Sequence, residues 1–255
     1  MELHLHTKYS AGDSVADVGE YIKKASEDCQ SAMAITDFAS VGAFSEAGLK
    51  KPEGFKLIYG LELPVLSGAR VYHATLLSKN AAGREALYML ASETPAPKPA
   101  LEKARDNLLL GSGCDEGELY SALLAGKPDE ELINIAAFYD FIEVQPASNF
   151  EFLIEQGKIT DINALVENVK KLVNIGKIAG KPVVSVGDVC FSDKEDAPRR
   201  ESLLESLGVV GSYAKAPLYF RTTAEMLAEF RFLSDPTAWE ITVVNTNKIA
   251  SLCEG

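Results

Sequence analysis

Short apolar runs recur along this chain and alternate with stretches that have the periodicity of amphipathic helices. Such alternation is typical of strand–helix units that pack around a largely parallel sheet. Seven runs are predicted to form strands, over residues 2–6, 32–36, 56–61, 71–77, 108–110, 141–144 and 182–186. Their number and order favour an α/β fold whose strands are arranged as a barrel.

Three helices have clear signals in the sequence. The strongest periodicity covers residues 162–178 and is followed by Gly180 and Pro182, which end helices. Thr222 and Glu225 have the spacing of a capping box, which predicts a further helix start. A first helix is predicted to be capped by Ser14 and to carry an apolar face of Val15, Val18, Ile22, Ala25 and Cys29.

Two connections are also indicated by their composition. The segment TPAPKPA, residues 94–100, contains three prolines and is predicted to be an extended surface loop. The segment LSGAR, residues 66–70, is predicted to connect two strands tightly. Because no internal repeat or long linker interrupts the 255 residues, we expect a single domain over residues 1–255.

Composition and charge exclude several classes of protein. No apolar run approaches the roughly 18–20 residues that cross a bilayer, and no signal peptide is evident, so we expect a cytoplasmic protein with no membrane partner. The net charge of −12 gives little reason to expect tight binding of duplex nucleic acid by this chain alone. The four cysteines are scattered, which favours reduced thiols over a disulfide framework.

Two of the three histidines lie two positions apart at the start of the chain. Residues two apart on a strand point to the same face, so His4 and His6 are predicted to project side by side. Two imidazoles in that arrangement can share one metal ion. The alternative is a pair of ordinary surface or core histidines.

Further candidate ligands follow or lie on the predicted strands. In a closed barrel such positions converge on one mouth, where these folds keep their chemistry. Each also has a structural alternative: a helix cap for Asp37, an ion pair with lysine for Glu62, a buried apolar role for Cys114 and a turn for Asp188. The candidates are Asp37, Glu62, His73, Cys114, Asp188 and Cys190.

Other catalytic motifs are missing from the sequence. The segment GSGCDEG lacks the Lys-Ser/Thr pair of a P-loop, and no G-x-G-x-x-G follows the first predicted strand. No G-x-S-x-G nucleophile elbow is present. Nucleotide binding by either scheme, and α/β-hydrolase chemistry, therefore have no support.

The chain resembles the PHP (polymerase and histidinol phosphatase) family, and more narrowly the PHP domains of PolC-type alpha subunits of bacterial DNA polymerase III. The resemblance covers essentially the whole chain. It rests on the ordered segments ELHLHT, AITD, IYGLE, YHATLL, GSGCDEGE, FIEVQP, GKPVVSVGDV, PLYFRTTAEMLAEF and VVNTNKIASL. It implies a distorted TIM-like barrel of about seven strands with up to three metal ions at one end.

The resemblance also implies three sets of ligands. The first is His4, His6, Glu62 and Asp188, and the second is Glu62 as a bridge with His73 and Cys114. The third would use Asp13 and two positions that are usually histidine, where this sequence has Phe38 and Cys190.

The ligand types decide how many ions we expect. Phe38 has no lone pair to offer, so the third site would keep only Asp13 and the Cys190 thiolate. We therefore expect two sites for zinc or manganese, with iron a further option, and an impaired third site.

This resemblance implies a PHP domain of a replicative polymerase with a mainly structural role, packed against the palm and thumb. DNA would then be a partner only in the full polymerase, since the chain has no polymerase sequence of its own. The alternatives are an active phosphoesterase (exonuclease or pyrophosphatase) and a free-standing small-molecule phosphatase. The exonuclease insert of PolC-type proteins is missing at residues 66–70.

Overall fold

Seven strands form two sheets in the computed structural model, which describes residues 1–10 and 13–255. The larger sheet has the order β1-β2-β3-β5, with β4 paired to β2, and the smaller sheet consists of β6 and β7. The strands are β1 (Ala32–Ile35), β2 (Lys56–Ser67), β3 (Arg70–Ser78), β4 (Ala96–Pro97), β5 (Leu108–Gly111), β6 (Ile142–Val144) and β7 (Val183–Ser185).

Helices connect and cover the strands. They are α1 (Val18–Glu27), α2 (Phe44–Lys50), α3 (Ala81–Ser92), α4 (Lys98–Ala104), α5 (Glu118–Leu124), α6 (Asp129–Phe138), α7 (Phe152–Glu155), α8 (Ile162–Ile178), α9 (Ala197–Ser206), α10 (Thr223–Glu229), α11 (Asp235–Trp239) and α12 (Asn245–Ser251). A π-helical turn, Glu240–Val244, joins α11 to α12, and short 3-10 turns cover Ala147–Phe150, Lys194–Asp196 and Ser212–Lys215. Within the described part of the chain, no helix combines the length and apolarity that a bilayer span needs.

The larger sheet is mixed, so the prediction of a largely parallel sheet was wrong. Strand β1 runs parallel to β2, whereas β2–β3 and β3–β5 are antiparallel. The cause is the tight connection predicted over residues 66–70, which the structure confirms as a turn of Gly68 and Ala69. Gly68 has φ +62° at the first turn position, as a type II′ turn requires, and so short a loop joins only antiparallel strands.

A closed seven-stranded barrel is not shown, although mixed α/β architecture is. Among the described residues, an isolated bridge between Gly111 and Phe141 joins the two sheets, and another joins Leu5 to Val189. The segment 2–6, predicted as a strand, forms no ladder among the described residues. Glu2 explains this difference, because its carboxylate accepts the backbone N–H groups of Leu3 and His4 at 3.0 and 2.9 Å and bends the chain there.

The helix predictions were largely confirmed. Helix α8 covers residues 162–178 as predicted, and the capping box of Thr222 and Glu225 opens α10. Helix α1, however, is capped by Asp17 and not by Ser14. The Ser14 hydroxyl instead donates a hydrogen bond to the backbone oxygen of His6 at 2.7 Å.

The proline-rich segment 94–100 was wrongly predicted to be extended throughout. Residues Ala96–Pro97 form β4, and α4 begins at Lys98 with Pro99 in its first turn. Proline is tolerated there because the first-turn N–H groups have no partner within the helix.

One apolar cluster lies directly beneath the candidate site. It includes Ile58 of β2, Leu77 of β3 and Phe141, all fully buried. Side chains two apart on a strand share a face, so Glu62 and Thr75 lie on the same faces of β2 and β3 as Ile58 and Leu77. The polar site therefore continues this apolar layer along the same strands.

Candidate metal centre

His4 and His6 project into one buried site from the N-terminal segment. Their ring centroids are 5.2 Å apart, and both side chains are essentially inaccessible to solvent. The Nε2 atoms of His4 and His6 lie 3.5 and 3.3 Å from the same oxygen, Oδ1 of Asp188. Neither Nε2 atom has a hydrogen-bond partner among the described residues, so two buried nitrogens converge on one point without being satisfied.

The other nitrogen of each ring is held by the protein. His4 Nδ1 lies 2.7 Å from Glu143 Oε2 and 3.2 Å from the hydroxyl of Thr75, and His6 Nδ1 lies 2.9 Å from Ser10 Oγ. A carboxylate can only accept, so the contact with Glu143 favours a proton on Nδ1 of neutral His4. This arrangement directs the Nε2 lone pair of His4 into the site, as in metal-ligating histidines generally.

Glu62 lies between two groups of candidate ligands. Its Oε2 is 3.5 Å from His6 Nε2, while its Oε1 is 3.0 Å from His73 Nδ1 and 3.2 Å from Cys114 Sγ. Ligand atoms of Glu62, His73 and Cys114 all lie within 4.8 Å of one another, as do those of His4, His6 and Asp188. The structure thus brings together the six residues of the two ligand sets that the family resemblance implied to be complete.

The sequence reasoning expected Glu62 and His73 to meet where strand ends converge at a barrel mouth, and the structure differs. Glu62 lies in the middle of the twelve-residue β2, and His73 is an interior residue of β3. They meet because the hairpin pairs Glu62 with Thr75 and Pro64 with His73. Antiparallel register, and not convergence of strand ends, forms this half of the site.

Asp188 is held in a left-handed backbone conformation, with φ +52°. Such a conformation is uncommon for a residue other than glycine and is often found at functional sites. The Asp188 side chain accepts a hydrogen bond from Gln145 Nε2 at 3.2 Å, and Val189 pairs with the N-terminal segment at Leu5. The turn after β7 therefore aims the Asp188 carboxylate at His4 and His6.

Burial and charge shift the ionisation of these groups in opposite directions. Burial alone would lower the pKa of both histidines, but the nearby carboxylates outweigh it and raise the pKa of His4 well above its usual range and that of His6 to about 9. Burial alone would raise the pKa of Glu62 and Asp188, but the adjacent histidines hold both below their usual range. Without another cation, the site thus keeps its carboxylates charged and balances them with imidazole protons.

The third predicted set of ligands is arranged differently. Asp13 Oδ2 lies 3.4 Å from Cys190 Sγ, and Asp13 Oδ1 lies 3.0 Å from Nη2 of Arg200. The ring of Phe38 packs against the ring of His73 with centroids 4.8 Å apart. At this position an arginine cation already neutralises the one carboxylate.

A cavity of about 290 Å³ opens onto both groups of ligands. Its floor includes Glu62, His73, Cys114 and Asp188, and no lysine or arginine lines it within the described ranges. The apolar and aromatic part of its lining is formed by Leu204, Leu207, Val209 and Tyr213. A phosphate would find no lysine or arginine here among the described residues, so bound cations would favour anion binding in this cavity.

Comparison of the sequence with known protein families identifies the family of this chain. The family model for the PHP domain matches residues 2–165. The chain belongs to the PHP domain family. The match contains His4, His6, Asp13, Glu62, His73 and Cys114 and ends before Asp188.

Two relatives of this PHP domain are DNA polymerase III PolC-type proteins. The one from Clostridium perfringens is 39% identical over 72% of this chain, and the one from Bacillus subtilis is 39% identical over 73%. The aligned region spans only 13% and 14% of those relatives, respectively. A solved two-domain protein from Bacteroides vulgatus, described as containing a predicted PHP-like metal-dependent phosphoesterase, is 15% identical with a TM-score of 0.34, over 67% of this chain and 62% of that one.

Asp37 of the PHP domain lies outside the candidate centre. Its carboxylate is buried and accepts hydrogen bonds from the backbone N–H and the hydroxyl of Thr7, the latter at 2.8 Å. These contacts hold the chain just after His6. Asp37 therefore supports the N-terminal segment and is not positioned as a ligand.

Sequence reasoning missed three charged residues that organise this PHP site. Glu143 interrupts an apolar strand, which is a signal that could have been noticed, since charged residues are rarely buried without a partner. Glu2 fixes the N-terminal bend and also accepts the Gly187 N–H at 2.9 Å. Arg200 carries no such signal, because its neighbour Arg199 has the same chemistry and is mostly exposed.

Proposed function

We propose that this PHP domain binds two divalent cations. The first would be held by His4, His6, Glu62 and Asp188, and the second by Glu62 as a bridge with His73 and Cys114. The observation that supports this is the pair of buried Nε2 atoms that lack partners and face the carboxylates of Glu62 and Asp188. Buried polar atoms are rarely left unsatisfied, and a cation would satisfy both nitrogens and both acids.

The ligand types favour zinc or manganese, with iron as a further option. Imidazole and thiolate at the second site suit zinc, while a carboxylate shared by two ions is also compatible with manganese or iron. Burial and the neighbouring Glu62 raise the pKa of the Cys114 thiol. We therefore expect Cys114 to bind with release of its proton.

In biological terms, we propose that the chain is the PHP domain of a PolC-type replicative polymerase in the cytoplasm. Its main role would be structural, with the remainder of the alpha subunit (palm and thumb) as partner and DNA contacted only by the whole polymerase. The PolC-type relatives support this placement. The arginine at the third position supports a site with reduced catalytic capacity.

The domain organisation follows from the same placement. We propose one PHP domain over residues 1–255, with the Gly68–Ala69 turn at the position of the family's exonuclease insert. We also propose that the N-terminal segment and strands β1, β2, β3, β5, β6 and β7 belong to one irregular seven-stranded barrel. The bridges from Gly111 to Phe141 and from Leu5 to Val189 support this arrangement, because they link successive pieces side by side.

A second candidate function is metal-dependent phosphoester hydrolysis. It is favoured by the cavity of about 290 Å³ above two complete ligand groups. Bound cations would supply Lewis acidity for a phosphoryl oxygen and lower the pKa of water. The protein would contribute the bridging carboxylate of Glu62, the ring orientation set by Glu143 and an apolar wall that limits water.

Counting bound ions tests the metal proposal. The full chain, purified without chelator and dialysed against zinc or manganese, should carry about two ions by elemental analysis. Cys114→Ser should reduce the count to about one, whereas Cys253→Ser, which changes a buried thiol outside the centre, should leave it at two. A chain that takes up neither metal would refute the proposal.

Activity assays separate the structural role from hydrolysis. We expect weak or no turnover of labelled single-stranded DNA or a generic phosphate ester with manganese, because the third position lacks its histidines. The variant F38H/C190H serves as the comparison. Vigorous turnover by the unchanged chain that His4→Ala abolishes would favour the hydrolase instead.

A further inference from the structure

A buried arginine is paired with the one carboxylate that remains at the third position. Arg200, on α9, is fully buried, and its Nη2 donates to Asp13 Oδ1 at 3.0 Å. Its Nε donates to the backbone oxygen of the same residue at 3.2 Å. The guanidinium therefore contacts Asp13 through two nitrogen atoms, although the two residues are 187 positions apart in the sequence.

The remaining guanidinium nitrogen is also occupied by the protein. Nη1 donates to the backbone oxygens of Tyr213 and Ala214 at 3.2 and 3.3 Å, and the guanidinium carbon lies 5.1 Å from the centroid of the Tyr213 ring. All three nitrogens thus have protein acceptors. Arg200 is therefore held by contacts within the protein, and its guanidinium is not available to bind a phosphate in the cavity.

The second oxygen of Asp13 is occupied as well. The Cys190 thiol donates a hydrogen bond to Oδ2, with its Sγ 3.4 Å away. Asp13 is therefore already paired with one cation and one donor.

We propose that Arg200 is a built-in cation that replaces the third divalent ion of this fold and excludes it. This inference rests on the proposed function, because the third position is defined relative to the two proposed ion sites. Arg200 places a positive charge beside the partly buried Asp13 carboxylate, and that charge repels a divalent ion from the same place. The absence of histidine at positions 38 and 190 is then not the only reason why we expect two bound ions and not three.

The same ion pair positions one wall of the cavity. Arg200 and Leu204 lie one turn apart on α9, and Leu204 lines the cavity. By tying α9 to Asp13, Arg200 holds this apolar wall in place without a metal.

Restoring the histidines with and without Arg200 distinguishes charge exclusion from simple loss of ligands. The full chain is compared as F38H/C190H, as F38H/C190H/R200M and as the charge-retaining control F38H/C190H/R200K. Manganese and zinc are titrated separately, and bound ions are counted by native mass spectrometry. We expect two ions in the unchanged chain, in F38H/C190H and in the lysine control, and three in the methionine variant, with the third affinity higher by at least about tenfold than in F38H/C190H.

The outcomes separate this proposal from the one it rests on. An unchanged chain without ions overturns the proposed function and this proposal together. Two ions in the unchanged chain, with equal third-ion affinity in F38H/C190H and the methionine variant, overturn the role of Arg200 alone. Three ions in the lysine control would do the same.

A second neutral variant tests whether a change in ion binding results only from loss of folding. R200Q keeps an N–H donor toward Asp13 without the charge, and in the F38H/C190H background it should also bind three ions and gain thermal stability from manganese. Failure of both neutral variants to fold, even with manganese present, would show that a divalent ion cannot take the place of the guanidinium. That result would overturn the proposal.

Discussion

At the scale of single residues, Glu143 illustrates how a side chain that touches no proposed ion can set the chemistry of the site. Its Oε2 holds His4 Nδ1 at 2.7 Å, and its Oε1 accepts the Gly113 N–H at 3.1 Å. Both oxygens are therefore used as acceptors. The His4 ring is oriented by this contact and not by its own backbone alone.

Replacing Glu143 by glutamine should weaken metal binding. An amide nitrogen facing His4 Nδ1 would favour a proton on Nε2, and the flipped amide would point a donor at the Gly113 N–H. We expect zinc affinity of the first site to fall by about 10–100-fold, the usual effect of losing such a partner. Competition with a chromophoric chelator measures this affinity.

Glu118→Gln is the matched control. Glu118 accepts hydrogen bonds from Ser67 and Lys98 at 2.9 and 2.7 Å, outside the two ligand groups. Its replacement should leave zinc affinity unchanged. Equal affinities for the Glu143 variant and the unchanged chain would contradict the orienting role.

The roles of single residues also differ in how well they could be predicted from the sequence. The two-residue spacing of His4 and His6 indicated a shared site, and the structure does bring their Nε2 atoms to one oxygen of Asp188. Arg200 could not be told from Arg199 in the sequence. Only the packing of α9 buries one and exposes the other.

At the scale of elements, the start of α1 combines a helix cap with an ion pair. Asp17 accepts the Gly19 N–H at 2.9 Å and also pairs with the ammonium groups of Lys8 and Lys50. Partial burial alone would raise the pKa of Asp17, but the hydrogen bonds from Lys50 and Lys8 outweigh it and lower this pKa below its usual range.

Asp17→Asn should destabilise the chain slightly at neutral pH and not in strong acid. A lowered pKa stabilises the folded state above the unfolded carboxyl value of about 4, and this contribution is lost as the pH falls toward the folded value. Asparagine keeps the cap but not the charge, so we expect a loss below about 1 kcal/mol at pH 7, reduced by 1 M salt. Urea unfolding between pH 3 and pH 7 measures it.

Asp161→Asn provides the comparison for Asp17. Asp161 caps α8 through the Ala164 N–H at 3.0 Å and has no lysine or arginine partner in the described ranges. Its replacement should show a smaller pH dependence. An identical dependence for both variants would attribute the effect to the helix dipole and not to the lysines.

The β2–β3 hairpin shows where element prediction succeeded and where it failed. Its tight turn was predicted from residues 66–70, since glycine there permits the required backbone. The length of β2 was underestimated, because the apolar run continues through Glu62 to Ser67. A glutamate inside a strand interrupts the apolar pattern, and only its partners His73 and Cys114 explain its burial.

At the scale of the whole molecule, the proposed ions would connect distant parts of the chain. Their ligands come from the N-terminal segment, the β2–β3 hairpin, the turn after β5 and the turn after β7. Ions held only by the folded arrangement stabilise it relative to the unfolded chain. The centre is therefore expected to contribute to stability even if it performs no catalysis.

Chelation should lower the thermal stability of the protein. One site with free zinc at 100 times its dissociation constant contributes about 2.7 kcal/mol. For a chain of this size that corresponds to a rise in Tm of about 5–11 °C. Differential scanning calorimetry with zinc or with EDTA measures the shift, which should be smaller for Cys114→Ser than for Cys253→Ser. Coincident curves with zinc and EDTA would argue against bound ions.

The family resemblance pointed to six candidate metal ligands, whereas the sequence by itself determined helix α8, the capping box of α10 and the hairpin turn. These depend on local periodicity, caps and turn chemistry, which act over a few residues. Tertiary structure decided that the larger sheet is mixed, that Glu62 meets His73 through strand register, and that Arg200 reaches Asp13. Such contacts join residues far apart in sequence, so they depend on how elements pack, and no local pattern records that.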